Sequence, residues 1–261
     1  MKKQPSIAFD DAEAQETLIS RRDALRDFSA TGLGIALAAV PLALGLFSRK
    51  AFAGPMPSVT EVLNFALTLE YLEAEFYRLG LEAAVMPVGR DREIFQLVFE
   101  HEVAHVALLQ DALGADAVAM PTFDFTAGGA FAPFEDYQQF LILAQGFEDT
   151  GVRAYKGGAP ALIDAADVLT TALQIHSVEA RHAAVIRRLR GERGWITGAT
   201  TTAPANTIQA VYEGEDNTTQ GGVDLAVALS QYSEDRITEA FDEPLTIEQV
   251  NAIAGMFIVP D

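Results

Sequence analysis

The sequence predicts an all-α protein: an antiparallel four-helix bundle with a long crossover between its second and third helices, and two further helices packed outside it. Three observations carry that prediction. Four segments of about 20 residues or more repeat apolar side chains at three-and-four spacing. The loops joining them run short, long, short. The first pair of segments also carries the same polar residues, at nearly the same spacing, as the second pair.

The first helix starts at Pro57-Ser58-Val59-Thr60-Glu61, a Ser-x-x-Glu capping box, and is expected to run to Gly80. Val59, Leu63, Ala66, Glu70 and Tyr77 share one face, so a carboxylate interrupts an otherwise apolar stripe. After a loop containing Pro87 and Gly89, the second helix is expected from about Asp91 to Leu113, stopping at Gly114. Its inner stripe reads Ile94, Val98, Glu102, His105, Leu109 and Ala112. So short a loop makes these two helices antiparallel neighbours.

Residues 114–133 hold Gly128-Gly129, two prolines and several aromatics, with no helical or strand period. A helix of 20 residues is about 30 Å long, and a chain returning that distance can start a helix parallel to the one it left. The third helix, about Glu135 to Lys156, places Tyr137, Leu141, Ala144, Glu148, Val152 and Tyr155 inward. The fourth, about Asp164 to Arg190, places Val168, Ala172, Ile175, Glu179, His182, Ile186 and Leu189 inward. Residues 192–222, rich in Thr, Gly, Asn and acids, read as an extended connection. The two outer helices are expected over Val223–Phe241 and Ile247–Ile258, the second opened by a Thr246-x-x-Gln249 capping box.

The first 53 residues read differently. Ser20-Arg21-Arg22-Asp23 precedes an uncharged run from Phe28 to Phe47, and Ala51-Phe52-Ala53 follows as a small-x-small cleavage site. The pattern resembles a twin-arginine export signal, which implies engagement of the twin-arginine translocase, a periplasmic or extracellular destination, and a mature chain beginning near Gly54. A run of about 20 apolar residues is also long enough to span a bilayer. Pro41, the many Ala and Gly, and the cleavage site favour removal, leaving no stable membrane insertion. The organisation is therefore read as 1–53 signal, 54–191 bundle and 192–261 C-terminal extension.

Net charge is −19, with 37 acidic against 18 basic side chains, and the acidic excess lies beyond residue 53. Such a surface opposes nucleic acid and anionic lipid and attracts cations. Without cysteine there are no disulfides and no thiolate metal sites.

Glu70 is followed seven residues later by Tyr77 and then by Glu102-x-x-His105; Glu148 is followed seven later by Tyr155 and then by Glu179-x-x-His182. Glu and His three apart on a helix point the same way. Two such helices, with one Glu from each of the other two, make the donor set of a dimetal-carboxylate site. Its four carboxylates balance two divalent ions and so permit their burial. Glu70, Glu102, His105, Glu148, Glu179 and His182 are the candidate ligands. Oxygen ligands with two imidazoles favour two iron ions, manganese, or a mixed pair. Tyr77 and Tyr155 are candidates for bonding the ligand carboxylates and serving the chemistry of the site.

These motifs resemble the ferritin-like superfamily, and within it an exported group that includes desiccation-related proteins, over roughly residues 57–190. Phe241-Asp242-Glu243-Pro244-Leu245 is similar to that group's tail. The resemblance implies a di-iron or related site whose partners are metal ions with O₂ or peroxide, with ferroxidase or peroxidase-like activity; homo-oligomers are compatible with it. Glu73 and Glu75 stand near Glu70 as competing carboxylates. Two other readings are open. One is a structural, stress-protective bundle with little turnover. The other is a zinc protease, since His101-Glu102-Val103-Ala104-His105 matches HExxH, although that reading leaves Glu179 and His182 unused.

Overall fold

A computed structural model describes residues 56–204 and 208–260. The predicted export segment, residues 1–53, lies outside them. Four long helices dominate: α1 (Val59–Glu82), α2 (Arg90–Leu113), α3 (Tyr137–Gly158) and α4 (Ala166–Leu189). Each begins or ends within about two residues of its predicted bound, where capping chemistry acts. Ser58 and Glu61 form the expected capping box on α1. Asp136 accepts from the Gln138 and Gln139 amides and so sets the start of α3, two residues later than its apolar period suggests.

Helices α1 and α2 pack along each other, as do α3 and α4; α1 also meets α3, and α2 meets α4. Side-chain pairs give the directions. Tyr71 pairs with Gln110 and Tyr77 stacks near Phe95, so α1 and α2 are antiparallel. Bonds Arg190–Gln145 and Arg187–Asp149 make α3 and α4 antiparallel. Tyr77–Glu148 and Tyr155–Glu70 do the same for α1 and α3. Consequently α2 and α3 run the same way, and the crossover over 114–136 supplies the return. That crossover has little regular structure: a 3₁₀ turn at Gly114–Asp116 and one bridge from Phe123 to Ile258.

At one end of the bundle Phe76, Phe95, Phe140 and Phe147 are all under 5% exposed, with ring centroids 4.8–5.0 Å apart for Phe76–Phe140, Phe95–Phe140 and Phe76–Phe147. Each such ring contributes roughly 1.5–3 kcal/mol by leaving water. Phe125 and Phe134 from the crossover close over Phe76.

The helix expected over Val223–Phe241 is absent. In its place are a two-residue hairpin pairing Thr219–Gln220 (β1) with Val223–Asp224 (β2), then α5 (Leu225–Ala228) and α6 (Glu234–Thr238). Asp224 and Ser233 cause the break, because each turns its side chain onto amides two or three residues on and starts a new helix. α7 (Ile247–Ala254) keeps its Thr246–Gln249 capping box and ends in a 3₁₀ turn at Gly255–Phe257. Among the described residues no helix is long and apolar enough to cross a membrane.

Candidate metal centre

The six candidate ligands converge in the middle of the bundle. Glu70, Glu102, Glu148 and Glu179 have no exposed surface, and His105 and His182 are also buried. Their donor atoms form two groups: Glu70, Glu102, His105 and Glu179, and then Glu102, Glu148, Glu179 and His182. Within each group the atoms lie no more than 4.8 Å apart. Glu102 and Glu179 belong to both. The remaining residues exchange under the pseudo-twofold axis that relates the hairpins, Glu70 with Glu148 and His105 with His182.

Both imidazoles present Nδ1 to the carboxylates. His105 Nδ1 stands 3.1 Å from Glu70, 3.0 Å from Glu102 and 3.2 Å from Glu179. His182 Nδ1 stands 2.9 Å from Glu102 and 3.3 Å from Glu148. His105 Nδ1 bonds Glu70 and Glu102, but these bonds do not satisfy the cluster. Glu102 Oε1, Glu148 Oε2, both Glu179 oxygens and His182 Nδ1 are buried and lack hydrogen-bond partners. Orphaned buried acceptors are costly, and cations placed among them satisfy several at once. This donor set, of carboxylate oxygens with one imidazole nitrogen per group, fits two divalent first-row ions.

The tyrosines tie the hairpins together crosswise. Tyr77 on α1 donates to Glu148 Oε1 on α3 at 2.5 Å, and Tyr155 on α3 donates to Glu70 Oε1 on α1 at 2.5 Å. Seven residues advance a helix by about 10 Å, so neither tyrosine reaches the glutamate of its own helix. In an antiparallel pair, that same offset sets each opposite the other's. One oxygen of each terminal carboxylate is thus held from outside while its second faces the site.

His101 stands in neither donor group. Its Nδ1 lies 2.9 Å from His182 Nε2, with the rings stacked at 5.2 Å. Since His182 Nδ1 faces the carboxylates, binding a metal there puts the proton on Nε2, and His101 Nδ1 accepts it. This arrangement removes the HExxH reading, which needs His101 and His105 on one ion. His176 is half-buried and also outside both groups.

Glu73, expected only as a competitor of Glu70, joins the cluster beside it. It is 2% exposed, and a Cβ at Gly151 would stand 3.2 Å from its Oε1 and 3.5 Å from Glu179 Oε2. A fifth buried carboxylate therefore sits against the cluster, in space left by a glycine on α3. The pairing of Glu70-x-x-Glu73 with Gly151 was the available signal.

Without metal the cluster holds protons. Burial, and then the charge of Glu179, raises Glu70; burial and the surrounding glutamates push Glu73 far up; burial lifts Glu148 well above the carboxylate range. Glu102 is raised to about 7 by burial and by Glu179. Burial works against charging the imidazoles, but the carboxylates around them win: bonds to Glu102 and its neighbours hold His105 at about 12, and the charge of Glu148 raises His182 as well. Burial would raise Glu179 too, yet the nearby His105 and His182 imidazoles hold it at about 2. Two imidazolium rings thus supply the positive charge that metal ions would bring.

A family model for the ferritin-like domain matches residues 58–192, more than half of the chain. The chain belongs to the ferritin-like family. No curated protein matches it. The ferritin-like match covers all four bundle helices and every candidate ligand and stops short of the C-terminal extension.

Proposed function

We propose that this ferritin-like protein binds two iron or manganese ions per chain and acts as an oxidoreductase, oxidising Fe(II) with O₂ or reducing peroxide. The observation that carries the reading is the pair of four-donor groups sharing Glu102 and Glu179, with their oxygens buried and unpartnered. Bound there, two redox-active ions supply a two-electron exchange with O₂ or peroxide. The chain's own groups fix that chemistry in place. Glu102 and Glu179 face both positions, Tyr77 and Tyr155 hold the outer carboxylates, and His101 sets the tautomer of His182. The acidic surface concentrates Fe²⁺ near the bundle.

The test is to load the protein anaerobically with Fe²⁺, admit oxygen or peroxide, and follow ferric absorption against Glu102→Ala. The native chain should oxidise iron many times faster than the variant. Equal rates at the buffer level would end the catalytic reading and leave a structural, stress-protective role.

Export rests on Arg21-Arg22, the Phe28–Phe47 run and Ala51-Phe52-Ala53. Arg21→Lys with Arg22→Lys should retain the precursor in the cytoplasm, and exported protein should begin near Gly54.

A further inference from the structure

The pseudo-twofold axis exposes a difference between the two ends of the bundle core. It carries a residue of α1 to the one 78 positions later on α3, as Glu70 to Glu148, and a residue of α2 to the one 77 later on α4, as Glu102 to Glu179. Applied to the aromatic end, it pairs Phe76 with Ala154, Phe95 with Ala172, and Phe140 with Val62. Three rings at one end correspond to two alanines and a valine at the other, all well buried. Where the rings are missing there is a cavity of about 200 Å³ between all four helices.

The cavity abuts the metal centre. Its lining on α1 runs from Val62 to Leu69, about 10 Å along the axis and one residue short of Glu70. Tyr155, whose hydroxyl is committed to Glu70, forms part of its wall. Among the lining residues the one acidic side chain is Asp167 on α4, which is exposed; none is basic. Anions therefore find no basic partner in its lining. An apolar hollow of about 150 Å³ stays dry and accepts benzene. This one has room for about eight non-hydrogen atoms on the same scale.

We propose that this cavity is a binding site for a small neutral molecule with an apolar body, a single ring or a short alkyl chain, seated against the Tyr155–Glu70 side of the metal centre. The proposal goes beyond the redox reading and does not depend on it, because the hollow is made by Ala154, Ala172 and Val62, none of them a candidate ligand.

Fluorobenzene is the probe, followed by ¹⁹F NMR on the full chain with and without loaded metal. One saturable site per chain is expected. Ala172→Phe installs the ring found at the other end and should weaken binding at least tenfold while leaving metal content unchanged. Should that variant fold poorly, Ala154→Leu partly fills the same space from α3 and should weaken binding in the same direction. Any of three results would overturn the proposal: no saturable binding to the native chain, binding unchanged in the folded filled variants, or xenon uptake without fluorobenzene, which would mean room for a gas only. Metal content, measured on the same samples, reports separately on the dimetal reading, so either idea can fail while the other stands.

Discussion

The two hairpins carry the same ligands in opposite surroundings. On α1, the counterpart of α3, the matching stretch Val62–Phe76 leaves Leu63, Asn64, Phe65, Thr68, Ala74 and Glu75 partly exposed. On α3 every residue from Phe140 to Ala154 is buried, including Gln145, Asp149 and Arg153. The C-terminal extension makes the difference. Arg153, fully buried, donates to the carbonyls of Val211, Glu213 and Glu243 and pairs with Glu215 at 2.8 Å. Asp149 accepts from Arg187 and from Tyr212, the latter at 2.6 Å, while Gln145 bonds the Tyr212 hydroxyl. Gly157 lets the Leu245 carbonyl approach where any Cβ would overlap it. The duplicated half of the chain thus makes the site, and the unduplicated tail reinforces its α3 side.

The sharpest way to break the symmetry of the ligands is to remove them one at a time. Glu102→Ala and Glu179→Ala should each abolish binding of both metals, since each residue serves both groups. Glu70→Ala and Glu148→Ala should each lower metal content toward one per chain. Elemental analysis of the purified variants decides, and equal losses in all four would contradict the shared positions of Glu102 and Glu179.

Stability should show the opposite pattern, with large effects in one hairpin only. Arg153→Leu leaves three carbonyls and the Glu215 carboxylate without their partner and should cost about 3–5 kcal/mol. Its counterpart on α1, Glu75, makes a partly exposed pair with Arg78, and Glu75→Ala should cost about 0.5 kcal/mol or less. Gly157→Ala should loosen the tail strongly. Urea melts of metal-free protein measure all three.

The pH response divides the two shared carboxylates, since Glu102 is raised and Glu179 lowered. His105, raised to about 12 from 6.5, stabilises the metal-free fold fully below pH 6.5, and that contribution is lost as pH rises through about 12. Glu102, raised to about 7 from 4.5, makes the metal-free fold lose stability as pH rises between those values, because the folded form holds its proton longer. Metal must displace these protons, so its affinity should fall as pH drops from 8 to 6, with proton release on binding. Calorimetric titrations in buffers of different ionisation heat would show it.

The smallest effects belong to the outer hydrogen bonds. Tyr77→Phe and Tyr155→Phe should each weaken metal binding about tenfold, through Glu148 and Glu70 respectively. If each instead disturbed the position nearer its own helix's glutamate, the crosswise pairing would be wrong.

The sequence by itself determined whatever repeats at short range. Period and caps located α1 to α4 within a few residues, and the double Glu, Tyr, ExxH spacing gathered the six candidate ligands, because helix geometry fixes which side chains share a face. It also misled at short range: Val223–Phe241 has a helical composition, yet Asp224 and Ser233 cap new turns inside it. The tertiary structure decided what depends on distant partners. Gln145, Asp149 and Arg153 look like a solvent face until the tail covers them. Tyr77 and Tyr155 bond across to the opposite helix, and Glu73 enters the cluster, only once α1 lies antiparallel to α3. Buried polar groups take their meaning from the atoms that satisfy them, and those atoms lie here up to 90 residues away.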